Sequence, residues 1–145
     1  MGKEAYKDIW VFAEQEGGVL SGTTFELLAK AHDLKKKLGG TDTVVAVLLG
    51  SGVEGLIPPL FAYGAEKVII AEHENLAVYS ARPYEKALVQ LCEKLKPSIF
   101  LFAASVLGRD VAPRVMCTLR TGLTADAIDL DVDEEGTFVQ TTPNF

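Results

Sequence analysis

Four nearly continuous apolar runs constrain this chain more than any other feature: "DIWVFAE" (8–14), "TVVAVLLG" (43–50), "KVIIAE" (67–72) and "SIFLFAA" (98–104). A strand with one wet face alternates apolar and polar residues. A strand that is apolar throughout, and rich in Val, Ile and Phe, is covered on both faces. Helices on both sides of a parallel sheet provide that cover.

The intervening segments carry the helical period. Thr23 and Glu26 have capping-box spacing, and Leu27, Leu28, Ala31, Leu34 and Leu38 then recur on one face before Gly39-Gly40. The crossover "VEGLIPPLFAYGA" is short, and its Pro58-Pro59 pair fits only near a helix start. From Ser80 to Lys96 the stripe is Tyr84, Leu88, Leu91 and Leu95, and Pro97 stops it. In "SVLGRDVAPRVMCTLRTGLTAD" (105–126), Val111, Val115 and Leu119 mark a fourth helix. Asp110 is placed to cap it, Pro113 falls in its first turn, Arg120 suits its C-terminus and Gly122 ends it. The order βαβαβαβα predicts a parallel sheet with right-handed crossovers. The pattern then becomes strict alternation, with Ile128, Leu130 and Val132 on one face, a turn at Glu135-Gly136 and a return strand "TFVQTT". The expected fold is an α/β, Rossmann-like three-layer sandwich with a mainly parallel sheet and a C-terminal β-hairpin. It is one domain over residues 1–145, and its abrupt end at "TTPNF" reads as a truncation or as a boundary to a missing domain.

Charge narrows the function. Twenty acidic against fourteen basic residues leave a formal charge of -6, which argues against binding nucleic-acid phosphates or a polybasic membrane anchor. No apolar run is long enough for a membrane span, and acidic residues interrupt the N-terminus before any signal-like stretch, so membrane insertion is not expected and the default compartment is the cytoplasm. Cys92 and Cys117 both fall on predicted helices among apolar neighbours and read as buried thiols rather than a disulfide or metal pair.

Few constellations carry chemistry. Gly50-Ser51-Gly52-Val53-Glu54-Gly55 matches G-x-G-x-x-G, with Glu72 at the end of the next strand where a ribose-binding acid belongs. The motif comes after the second strand rather than the first, it leads into a Pro-Pro helix, and Glu54 sets a carboxylate beside any pyrophosphate. A tight βα turn explains the glycines better. The acidic run from Asp126 to Glu135 fails as a calcium loop, because the sixth position from Asp129 is Glu134, not glycine. His32 and His73 have no second ligand at metal spacing, and no nucleophile elbow, Walker loop or HExxH is present. Arg109 stands apart. A cation at the N-terminal end of a helix opposes the dipole, and the loop after the fourth strand lies at the carboxyl edge of the sheet, where open α/β folds bind ligands. A nucleotide-binding module of Rossmann or universal-stress type is therefore one reading.

The other comes from resemblance. "DIWVFAEQEGGVLSGTTFELLAKAHDL", "LLGSGVEGLIPPLFAYGAEKVIIAE", "KPSIFLFAAS" and "GRDVAPRVMCTLRTGLTADAIDLDVD" resemble the N-terminal domain of the electron transfer flavoprotein alpha subunit, of a bacterial, acyl-CoA dehydrogenase-associated or bifurcating type. The most specific part is Gly108, Arg109, Pro113 and Arg114 leading to Gly122, Leu123, Ala125 and Asp126. The resemblance implies a heterodimer with a beta subunit, and FAD held mainly by a C-terminal domain absent here. It implies that this domain is a scaffold helping to position FAD, doing no bond chemistry itself. Electrons would pass to acyl-CoA dehydrogenase or a similar flavin oxidoreductase. The cofactor-facing candidates, through a flavin held by the partner, are Arg109, Arg114 and Thr142. Bifurcating members resemble one another in carrying an arginine before the proline after the hairpin. Thr142 stands there, ahead of Pro143, which weighs against direct flavin tuning by this domain.

Overall fold

The computed structural model describes residues 7–120, 130–132 and 137–141. Strand β1 (Ile9–Ala13) leads into a small hairpin, β2 (Gln15–Glu16) and β3 (Val19–Leu20), and then helix α1 (Gly22–Lys37). Strand β4 (Val44–Gly50) is followed by a 3-10 turn (Glu54–Leu56), helix α2 (Ile57–Ala62) and strand β5 (Lys67–Glu72). A second 3-10 turn (Glu74–Leu76) precedes α3 (Ala81–Leu95), β6 (Ile99–Ala103) and α4 (Val106–Arg120). Strands β7 (Leu130–Val132) and β8 (Thr137–Thr141) complete a six-stranded sheet in the order β5-β4-β1-β6-β8-β7. Strands β5, β4, β1 and β6 are parallel, with Ile9 level with Val44 on one side and Ile99 on the other. Strand β8 runs antiparallel along β6, Leu101 opposite Val139, and β7 pairs with β8. The expected sandwich and hairpin strands are therefore present.

The apolar runs are continuous because both faces are buried, and side-chain alternation sorts them by size. Trp10, Phe12, Phe100 and Phe102 project to the face covered by α3 and α4. Ile9, Val11, Ile99 and Leu101 project to the face covered by α1 and α2. The aromatic face interlocks, with Trp10 edge-on to Phe100 at 5.3 Å and Phe100 at 4.3 Å from Phe102. Such pairs add about 1 kcal/mol each beyond area burial.

Several local expectations are corrected. The cap of α1 is Ser21, whose Oγ accepts from the Thr23 N–H at 3.4 Å. Helix α4 begins at Val106, three residues before Arg109, because Ser105 Oγ accepts the Gly108 N–H at 3.0 Å and starts the helix early. Asp110 is therefore not the cap, and Pro113 sits inside the helix rather than in its first turn. Proline is tolerated because it lies on the exposed face while Val111, Ala112, Val115 and Met116 are buried on the other. Cys117 shares that wet face and is exposed, against expectation. Cys92 is buried, and burial pushes its thiol pKa up to about 12. In α3 the buried stripe is Tyr84, Leu88, Val89 and Cys92, with Leu95 exposed at the end. Pro58-Pro59 lies at the start of α2, as its chemistry demands. Gly122, Leu123, Ala125, Asp126, Ile128, the Glu135-Gly136 turn, Thr142 and Pro143 lie outside the described residues.

Candidate functional site

The strand order creates one favoured place for a site. The chain leaves β1 toward α1 and β4 on one side, and later returns to β6 on the other. The helices that succeed β1 and β6 cover opposite faces of the sheet, so a crevice opens between them at the strands' carboxyl ends. Its volume is about 680 Å³, within the range of small-molecule sites.

Its polar lining comes from three separated segments. Glu14 comes directly after β1, and its carboxylate accepts a short hydrogen bond from Ser105 Oγ at the end of β6. Glu14 also takes the Ser21 N–H on its backbone carbonyl at 2.9 Å, tying the hairpin's exit to the strand. Burial raises the Glu14 carboxyl pKa, and the Ser105 hydrogen bond offsets part of that rise. Gln15 bridges in two directions: its Nε2 donates to Leu49 O at 3.2 Å and its Oε1 accepts the Gly18 N–H at 3.0 Å. The hairpin is thereby pinned over the end of β4. Glu16 adds a second carboxylate, and no lysine or arginine among the described residues lines the crevice.

The apolar lining is exposed to a degree unusual for valine. Val19, Val78 and Val106 are 68%, 78% and 89% exposed and all three border the crevice. Contiguous exposed apolar surface rimmed by polar groups marks an interaction site.

The wall behind them is a relay of contacts. Tyr79 lines the crevice, and its hydroxyl donates a short hydrogen bond to Asp110 Oδ2. Arg114 Nε contacts the same oxygen at 3.3 Å. The Tyr79 hydrogen bond, then Arg114, holds the Asp110 carboxyl below the usual carboxylate range. The Tyr79 hydroxyl is shifted upward, by desolvation first and by Asp110 second. Tyr79 in turn stands edge-on to Tyr84 at 4.9 Å, and Tyr84 OH donates to Leu76 O at 2.8 Å.

The structure separates the two arginines that the sequence grouped. Arg109 lies in the first turn of α4, with Nε donating to Ala104 O at 3.1 Å at the end of β6. Arg114 is engaged with Asp110 instead. Thr142, the third candidate, lies outside the described residues. The glycine motif is closed by the chain's own carboxylate, since the Val53 N–H donates to Glu72 Oε2 at 2.9 Å. A side chain at Gly50 would come within 2.8 Å of Gln15 Nε2, so that glycine also serves packing. The motif runs into a 3-10 turn and the six-residue α2. His32 contacts Gly64 O at 2.6 Å, and His73 Nδ1 accepts the Asn75 N–H at 3.0 Å. No metal-binding group of side chains and no helix long and apolar enough to cross a membrane occurs among the described residues.

The fold and crevice define a class: a doubly covered α/β domain whose ligand edge is acidic and apolar. A family model for the electron transfer flavoprotein domain matches residues 9–145, and the chain belongs to that family. It is similar to "Electron transfer flavoprotein subunit alpha" of Thermoanaerobacterium thermosaccharolyticum, 44% identical over 140 residues, which are 97% of this chain and 42% of the relative. It is also similar to "Acryloyl-CoA reductase electron transfer subunit beta" of Anaerotignum propionicum, 41% identical over 89% of this chain and 35% of the relative. A third relative is "Lactate dehydrogenase (NAD(+),ferredoxin) subunit LctC" of Acetobacterium woodii, 36% identical over 99% of this chain and 34% of the relative. The chain thus corresponds to the N-terminal domain of alpha subunits and spans about two-fifths of the length of the relatives it matches first. The family implies a flavin, and the crevice does not fit FAD. Glu14 and Glu16 repel its diphosphate, and no cation among the described residues lines the crevice to offset them.

Proposed function

We propose that this domain is the scaffold of an electron transfer flavoprotein alpha subunit. It packs against a beta subunit and helps position a flavin held elsewhere. The observation that carries this reading is the character of the switch-point crevice. Three exposed valines suit a protein surface, and two carboxylates disfavour a nucleotide. FAD then resides mainly in a C-terminal domain, for which the greater length of the relatives leaves room. Electrons pass from a donor to that FAD and on to acyl-CoA dehydrogenase or another flavin oxidoreductase in the cytoplasm. The domain does no bond chemistry; its contribution is geometry. Arg109 and Arg114, with Thr142, are the residues proposed to face the beta subunit or the flavin it holds.

Two measurements test the reading. Co-expression of the longer gene product with its candidate beta subunit is expected to give a yellow heterodimer. A colourless preparation without a co-purifying partner refutes it. Calorimetric titration of this chain with AMP, ATP and NADH is expected to show no binding. Saturable micromolar binding would instead favour the nucleotide-binding module.

A further inference from the structure

A second groove, of about 420 Å³, lies between the Glu74–Leu76 turn and α3 and has the opposite character to the crevice. Arg82, Lys86 and Gln90 form one wall, and His73 and Asn75 contribute to the other. Pro83 and Ala87, half-buried, give it an apolar floor.

It gathers two cations in a chain with a net charge of -6. Among the described residues neither Arg82 nor Lys86 forms an ion pair. Two nearby carboxylates are committed elsewhere, Glu72 to the Val53 N–H and Glu85 to the Thr118 hydroxyl. Glu74 belongs to the same turn but does not line the groove. Arg82 also stands in the first turn of α3, where no acid accompanies it and a cation opposes the helix dipole. His73 adds a donor. Its Nδ1 accepts from Asn75 N–H, so in the neutral ring the proton is on Nε2.

Shape selects among anions. Arg82, Lys86 and Gln90 succeed one another at four-residue spacing, a straight row about 12 Å long at 1.5 Å rise per residue. A compact phosphate meets one or two members of such a row. An extended acidic segment meets them all and lays an apolar side chain on Pro83 and Ala87. We propose that this groove docks an acidic, partly apolar segment of a partner protein, with carboxylates on Arg82 and Lys86. The proposal is independent of the scaffold reading, because neither the crevice nor Arg109 takes part.

The probe is a synthetic peptide of about ten alternating glutamates and leucines, long enough to span the row. It is titrated into the isotope-labelled chain and followed by amide NMR. Shifts are expected between residues 73 and 90, and binding is expected to weaken severalfold from about 20 mM to about 200 mM salt as screening shortens. The Arg82→Gln/Lys86→Gln double variant should bind about two- to thirtyfold more weakly, as expected for loss of two exposed ion pairs. Lys94→Gln, on the same helix outside the groove, should bind as the parent does. A lysine-leucine peptide should not bind. The proposal is overturned by no glutamate-peptide binding, by shifts centred elsewhere, or by a double variant that binds like the parent. Tighter binding of inorganic tripolyphosphate at the same residues would also overturn it, by reassigning the groove to small polyanions.

Discussion

Gly108→Ala tests how α4 is seated on the sheet. A Cβ at this position would lie 1.9 Å from the carbonyl oxygen of Ala103 and 3.0 Å from its carbon. The obstacle is backbone at the end of the fully buried strand β6, so it cannot rotate away. Restoring a 3.0 Å separation requires a shift of at least 1.1 Å (3.0 minus 1.9) between helix and strand. That shift pulls the Gly108 N–H from Ser105 Oγ, a capping interaction worth about 1 kcal/mol, and displaces the buried Val111 and Val115. Overpacking of this kind costs about 1–3 kcal/mol. Against it, alanine gains about 1 kcal/mol of helix propensity over glycine. The net expectation is a loss of about 1–3 kcal/mol, or a melting temperature lower by about 3–12 °C. Urea unfolding followed by circular dichroism measures it, with Gly55→Ala as control. A Cβ there meets nothing within 4 Å, and the change should stay within about 0.5 kcal/mol. A Gly108→Ala protein about 1 kcal/mol more stable than the parent would refute the close seating of α4, because propensity alone would then have decided the outcome.

Local chemistry dictates three further outcomes. Glu14 has its pKa raised above 4.5 by burial, so the folded state holds its proton longer than the unfolded state and stability falls as pH rises from about 4.5 through the folded value. Glu14→Gln keeps an acceptor for Ser105 and removes that fall, so urea midpoints at pH 4.5 and 7 should converge relative to the parent. Glu66 has its pKa lowered chiefly by the Lys35 ammonium, 2.8 Å away, so the pair's stabilisation is present above pH 4.5 and lost as pH falls through the lowered value. In Lys35→Met the Glu66 carboxyl, followed by carbon-13 NMR, should titrate closer to 4.5. Lys96 ends α3 in the left-handed region at φ 53, which costs a side-chain-bearing residue about 1–2 kcal/mol. Lys96→Gly should stabilise the chain by about 0.5–1 kcal/mol after glycine's extra chain entropy, measured by the same urea unfolding.

The strands were legible because burial on both faces leaves an unbroken apolar signature, and the boundaries at 43–50 and 67–72 nearly coincide with β4 and β5. The hairpin of β2 and β3 escaped because two-residue strands show no periodicity. Its one signal was Gly17-Gly18, both at positive φ, as a two-residue turn requires. Helix α4 was misplaced because Asp110 and Pro113 looked like a start. Ser105 began the helix a turn earlier, and packing of Val111 and Val115 carried it through the proline. The exposure of Cys117 was readable: it lies two residues, about 200°, from Val115 on the helix wheel. The crevice was not readable in outline. Glu14, Tyr79 and Ser105 are far apart in sequence, and only the strand order brings them together.

The same strand order explains why a nucleotide-type fold presents an acidic ligand edge here. In an open α/β sheet, the crevice at the switch point receives the N-terminus of the helix after the neighbouring strand, and an anion there gains from the dipole. In this chain two of the first-turn amides of α4 are answered internally, Gly108 N–H by Ser105 Oγ and Arg109 N–H by Ser105 O, and Ser105 Oγ in turn donates to Glu14. The anion that a bound phosphate would supply is thus already part of the chain, as the Glu14 carboxylate. A second anion would have to displace it or share the site, and like charges at such range repel by about 1 kcal/mol or more even in water. What the crevice still lacks is cover for Val19, Val78 and Val106. The energy available at this edge is therefore apolar burial, at about 25 cal/mol per Å² removed from water. That favours another protein's surface over a nucleotide as its occupant.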